Sequence, residues 1–93
     1  MSVTVRIPTQ LRNLSGGAAE VAVSAGTLAD VLGNLEAAHA GFAQRLFGDD
    51  GALRRFVNVF LNDEDVRFLE GLSTAVNDGD TVSIVPAVAG GDF

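Results

Sequence analysis

The sequence predicts an α+β fold, a mixed sheet with one main helix packed across it. Three observations lead there. Apolar residues alternate with polar ones early in the chain, at Val3, Val5 and Ile7, which is the period of a half-buried strand. Strand-like runs return late, at 56–61 and 81–85. Between them Leu28, Val31, Leu32 and Leu35 recur at spacings of three and four, the signature of a helix with one apolar face. A single such helix among several strands has to bury that face on their sheet.

The first strand alternates Val3, Val5 and Ile7 with Thr4 and Arg6, and Pro8 ends it. Ser15-Gly16-Gly17 signals a turn. Val21 and Val23, alternating with Ala22 and Ser24, give the second strand and close an N-terminal hairpin with a long loop. Thr27 is a good N-cap, and Asp30 three residues on completes a capping box. The helix then presents Leu28, Val31, Leu32, Leu35, Ala38 and Phe42 on one face, with Gly41 ending its first segment. Residues 56–61 form the third strand, Asn62-Asp63-Glu64-Asp65 a turn, and Val66-Arg67-Phe68 a short return strand. Residues 72–76 read as a connector holding one helical turn. Asn77-Asp78-Gly79-Asp80 tolerates positive φ and turns the chain into the last strand, 81–85, stopped by Pro86. The order is β-β-α-β-β-β, with residues 1–86 as one domain and 87–93 as a flexible tail.

Composition narrows the function. With 93 residues, 47% of them apolar and 19% charged, the chain supports one globular core. It has no apolar run near the roughly 20 residues a membrane span needs, and no basic start followed by an apolar stretch. The cytoplasm is the expected compartment. The net charge is -6 and all six basic residues are arginine, with no basic stripe. Nucleic acid is therefore not an expected partner. The excess acid either complements a basic docking surface or only keeps the domain soluble. Cysteine is absent, which excludes a disulfide framework, a thiolate nucleophile and a cysteine metal site. His39 is the one histidine. The acidic run at 63–65 and the pair Asp49-Asp50 lack the spacing of a calcium loop, so no metal is expected. No glycine-rich phosphate loop precedes a helix, and neither catalysis by this chain nor a bound cofactor is expected.

The C-terminal third carries the most specific pattern. Asp78-Gly79-Asp80, the strand 81–85, and Pro86-Ala87-Val88-Ala89-Gly90-Gly91 follow one another, with Leu72 upstream. This stretch resembles the C-terminal signature of the ThiS/MoaD family of ubiquitin-like sulfur-carrier proteins. With Asn62-Asp63-Glu64-Asp65-Val66-Arg67-Phe68, it looks most like the CysO-type carriers. The resemblance runs from Val3 to Gly91. It implies a β-grasp domain whose first and last strands lie parallel at the sheet centre. It also implies that Gly91, reached through Gly90, is the sulfur-carrying terminus. A ubiquitin-activating-type adenylyltransferase would use ATP to activate the Gly91 carboxylate. A persulfide on a rhodanese-like domain would then convert it to a thiocarboxylate. The sulfur would pass to an acceptor such as a pyridoxal-phosphate-dependent cysteine synthase; other relatives serve thiamin, molybdopterin or sulfur-containing secondary metabolites.

Asp92 and Phe93 depart from that pattern, because mature carriers end at the second glycine. Two extended residues carry the carboxylate about 7 Å too far and bring a ring into a cleft shaped for glycine. Cleavage between Gly91 and Asp92, by a JAMM-type metalloprotease in some relatives, is the expectation; the other account is that the two residues are foreign to the natural chain. Two rival functions stay open: a ubiquitin-like modifier joined to lysines through Gly91, and an interaction module with an inert tail.

Docking needs a surface. Val57, Val59 and Leu61 share one face of the third strand, and Phe56, Asn58 and Phe60 the other. The valine and leucine set suits the helix-covered core. Phe60 and Val85 then form an exposed apolar patch beside the tail, a form of surface that marks partner sites. The inverse assignment would put Phe60 in the core. Arg6 falls on the same outer face as the patch, either touching the partner or simply solvated.

Overall fold

The computed structural model describes residues 2–48, 51, 53–54 and 57–86. Strands β1 (Val3–Arg6) and β2 (Glu20–Val23) form the expected antiparallel hairpin, with Val3 opposite Val23 and Arg6 opposite Glu20. Their connection is built on Ser15, whose buried hydroxyl donates to the Ala18 carbonyl (2.7 Å) with the Arg12 carbonyl also in reach (3.1 Å). Gly26–Thr27 is a two-residue strand, β3, and leads into helix α1, Leu28–Ala38. The capping box is present: Asp30 N–H donates to Thr27 Oγ1 (3.2 Å), and Thr27 N–H to Asp30 Oδ2 (3.1 Å).

The helix stops earlier than the sequence suggests. It ends at Ala38 with His39 as C-cap, and Gly41, at φ +109°, starts a second helix, α2 (Phe42–Leu46). Ala38 is exposed, whereas Phe42 is fully buried because α2 turns it back under the sheet. The cap of α2 comes from α1: Glu36 accepts from the N–H groups of Gly41 (3.1 Å) and Ala43 (2.8 Å). These N–H groups, Ala43 first, hold the Glu36 carboxyl below its ordinary range.

Strand β4 spans Val57–Leu61; Phe56 and Asp49-Asp50 lie outside the described residues. The return strand is not 66–68. It is Glu64–Asp65, β5, pairing Leu61 with Glu64 across a two-residue turn. Asn62 and Asp63 take φ of +50° and +75°, the doubly left-handed backbone of a tight hairpin, so β5 begins at once. Residues Val66–Phe68 are a 3-10 turn instead, nucleated by Asp65 Oδ1 accepting from Arg67 N–H (2.9 Å). A second 3-10 turn, Gly71–Ser73, matches the connector's helical turn, and β6 (Ala75–Val76) then pairs with β3. Strand β7, Thr81–Pro86, is the last element among the described residues.

The main sheet has the order β2-β1-β7-β4-β5. β7 lies at its centre, parallel to β1 and antiparallel to β4. One face is covered: Val3, Val5, Ile7, Val57, Val59, Val82 and Ile84 meet Leu28, Val31, Leu32 and Leu35 of α1, all buried. Burying each such side chain is worth about 1.5–3 kcal/mol, and their convergence explains why one short helix suffices.

Candidate functional site

Among the described residues no α-helix covers the opposite face of the sheet. Period two decides what it shows. β1 turns Thr4 and Arg6 outward, β7 turns Thr81, Ser83 and Val85, and β4 turns Asn58 and Phe60. The registers align one row straight across the sheet: Glu20, Arg6, Ser83, Phe60, Asp65. Phe60 is half-buried and Val85 is 44% exposed, while Val57 and Val59 are buried. The outward assignment of Phe60 and Val85 therefore matches the fold, and the inverse one does not.

Phe60 and Val85 are not an isolated patch. Both line a shallow groove of about 690 Å³ that also takes in Arg6, Pro8, Arg12 and Ser83. Glu20 and Asp63 bring negative charge to the same groove, so both signs of charge surround a small apolar floor. Arg12 is held in place, its Nε donating to the Ile7 carbonyl (3.1 Å). The sequence pointed to Arg6 but not to Pro8 or Arg12, because their approach depends on the loop after β1 and not on strand period.

Val85 is paired with Asn58, and Pro86 with Val57. The described part of β7 ends there, beside the groove. Gly90, Gly91 and Asp92 lie outside the described residues. At the other end of β7, Asp80 accepts from Asn77 N–H (2.8 Å) and Asn62 Nδ2 (3.0 Å), while Thr81 N–H donates to Asn62 Oδ1 (2.9 Å). The Asn77 and Asn62 donors hold the Asp80 carboxyl below its usual range. The acidic run at 63–65 is dispersed: Asp63 lines the groove, while Asp65 caps the 3-10 turn. Among the described residues no three His, Asp or Glu side chains converge on a point.

Comparison with known proteins follows the same outline. The ThiS family matches residues 5–91. The sulfur carrier protein CysO of Mycobacterium tuberculosis (strain ATCC 25618 / H37Rv) is 54% identical over 93 residues, covering 98% of this chain and all of its own. A chain in the crystal structure of the Amycolatopsis orientalis BexX/CysO complex superposes with a TM-score of 0.89 at 49% identity, over 96% of this chain and 99% of that one. Small archaeal modifier protein 3 of Haloferax volcanii is 49% identical over 65 residues, 70% of each chain. With this match, a mixed sheet grasping one main helix and CysO-like relatives over nearly its whole length, the chain belongs to the ThiS family of ubiquitin-like β-grasp sulfur carriers.

Proposed function

We propose that this protein carries sulfur as a thiocarboxylate on Gly91 and donates it in the biosynthesis of cysteine or another sulfur-containing metabolite. The observation that carries this reading is the near full-length similarity to a CysO sulfur carrier, in a family match that extends to Gly91. The chemistry is consistent with a chain that has no cysteine of its own. A carboxylate is a poor electrophile. Attack of its oxygen on the α-phosphorus of ATP, in a ubiquitin-activating-type partner, expels pyrophosphate and leaves an acyl-adenylate. The terminal sulfur of a persulfide then displaces AMP, and a thiol cleaves the sulfur–sulfur bond to leave the thiocarboxylate. The carrier contributes presentation and reach: five residues separate Pro86 from Gly91, at most roughly 18 Å when extended.

Docking falls to the groove face, with Phe60 and Val85 as its apolar anchors. Gly91 offers a carboxylate only once nothing follows it, so a peptidase, JAMM-type in this proposal, removes Asp92 and Phe93. A pyridoxal-phosphate-dependent cysteine synthase suits the role of acceptor, in a cytoplasmic setting. No helix among the described residues is long and apolar enough to cross a membrane.

The test is mass spectrometry of the protein purified from cells that also hold its activating partner. A chain ending at Gly91, with one oxygen replaced by sulfur, is the expected species. A population that always retains Phe93 and never gains sulfur overturns the reading. The similarity to a small archaeal modifier protein favours one second reading, attachment through Gly91 to lysines of other proteins. Higher-mass conjugates that vanish when Gly91 is deleted would establish it.

A further inference from the structure

Arg67 sits on the surface, yet three hydrogen bonds tie down its guanidinium. Nη1 donates to Asn58 Oδ1 (2.8 Å), and Nη2 to the carbonyls of Val57 (2.8 Å) and Arg54 (3.1 Å). Three acceptors from one stretch of backbone and one side chain suit a planar fork of donors, and a lysine could not span them.

Strand parity explains why acceptors are available there. Asn62 N–H donates to the Thr81 carbonyl (2.9 Å). Bonded and non-bonded pairs alternate along an antiparallel ladder, so Phe60–Ser83 and Asn58–Val85 are bonded pairs. Val57 therefore turns its N–H and C=O away from β7. On that side β5 reaches only Phe60 and Leu61. The Val57 N–H finds the Arg54 carbonyl (3.1 Å), and the Val57 carbonyl finds Arg67. The guanidinium stands where a longer β5 would have supplied a strand.

The tail root depends on this segment. β1 pairs with β7 only through Thr81, Val82 and Ser83. The Arg6–Ser83 pair still holds the Ile84 N–H on the β1 side, so among the described residues Val85 and Pro86 alone have β4 as their one ladder partner. The end of β7, Val85 and Pro86, is thus one strand of a two-stranded ribbon, an arrangement of marginal stability by itself.

We infer that Arg67 is a positioning residue for the C-terminal tail: by clamping Val57 and Asn58 it stiffens the ribbon from which Pro86 launches the chain, and so governs how readily a partner's cleft captures Gly91. Fixing the root in advance reduces the ordering cost of capture. The clamp stands on the geometry alone; its effect on capture rests on the carrier reading above.

The test uses Arg67→Met, which keeps a long stem without donors, Arg67→Lys, and Asn58→Ala, which removes one acceptor and leaves Arg67 intact. Amide hydrogen exchange of the full chain is read first. In Arg67→Met, Val85 and Asn58 are expected to exchange about tenfold faster or more while Val5 and Val82 keep wild-type protection. Arg67→Lys and Asn58→Ala should fall between. Unchanged exchange at Val85 and Asn58, or equal acceleration at all four sites, overturns the clamp. Kinetics with a ubiquitin-activating-type enzyme and ATP follow, on chains ending at Gly91. The KM for the carrier should rise several-fold with kcat held, and an unaltered KM in Arg67→Met overturns the effect on capture. If the wild-type chain is not adenylated at all, the carrier reading fails, and the exchange data still decide the clamp.

Discussion

Asp63 holds a φ of +75° beside Asn62 at +50°. A side chain in that region costs roughly 1 kcal/mol, and the entropy of an added glycine returns about half of it to the unfolded state. Asp63→Gly is therefore expected to raise stability by about 0.5 kcal/mol, read from chemical denaturation; a clear loss would show that the Asp63 side chain supports the turn. Phe60 makes the opposite case. It is half-buried on the helix-free face, so Phe60→Ala should cost about 1 kcal/mol, well short of the 3–5 kcal/mol of a buried aromatic. Binding to the activating partner should weaken about tenfold or more. A variant that loses core-sized stability and keeps its partner would refute the docking role of Phe60. Both residues were legible in the sequence to different depths. Period two placed Phe60, but the four residues from Asn62 looked like one turn because two-residue strands have no period to read.

The elements show the same division. α1 was legible through its cap and its apolar spacing, and its buried face of Leu28, Val31, Leu32 and Leu35 matches. The end of α1 was not, because Phe42 continues the apolar spacing on a different helix. α2 has five residues, too few to persist unaided. It depends on the Glu36 carboxylate, whose partners lie five and seven residues ahead, where no short motif points. That dependence has a sign. The Glu36 carboxyl is depressed in the fold by the Ala43 and Gly41 N–H groups. Its contribution is complete above the ordinary carboxylate range and is lost as pH falls through the depressed value. Amide shifts of Gly41 and Ala43 should titrate together below that range, and Glu36→Gln should abolish the titration. A midpoint at or above the ordinary value would contradict the cap. Asp80 has the same sign through Asn77 and Asn62, so acid should loosen the entry to β7 as well. Arg67 escaped for a related reason: with 66–68 read as a return strand, nothing marked it as covering the edge that β5 leaves open.

For the whole molecule, the net charge of -6 acts beyond any single contact. If the activating partner presents a basic surface, association should slow steeply as ionic strength rises while dissociation changes little. Stopped-flow association across a salt series measures this, and a salt-independent on-rate would leave the acidic balance as a matter of solubility alone. The α+β class and the single helix-covered sheet were legible in the order of strands and helix, whereas the parallel placement of the first and last strands at the sheet centre came from the family resemblance. The short β3–β6 pair was invisible, being two residues on each side. The parallel contact between β1 and β7 has a further consequence. During synthesis the first of these strands waits for the last, because the middle of the sheet is filled only when β7 has emerged from the ribosome. A nascent or prematurely terminated chain lacks its central strand and cannot close around α1. The architecture thereby acts as a completeness check, withholding a foldable body from any translation product that stops short of β7.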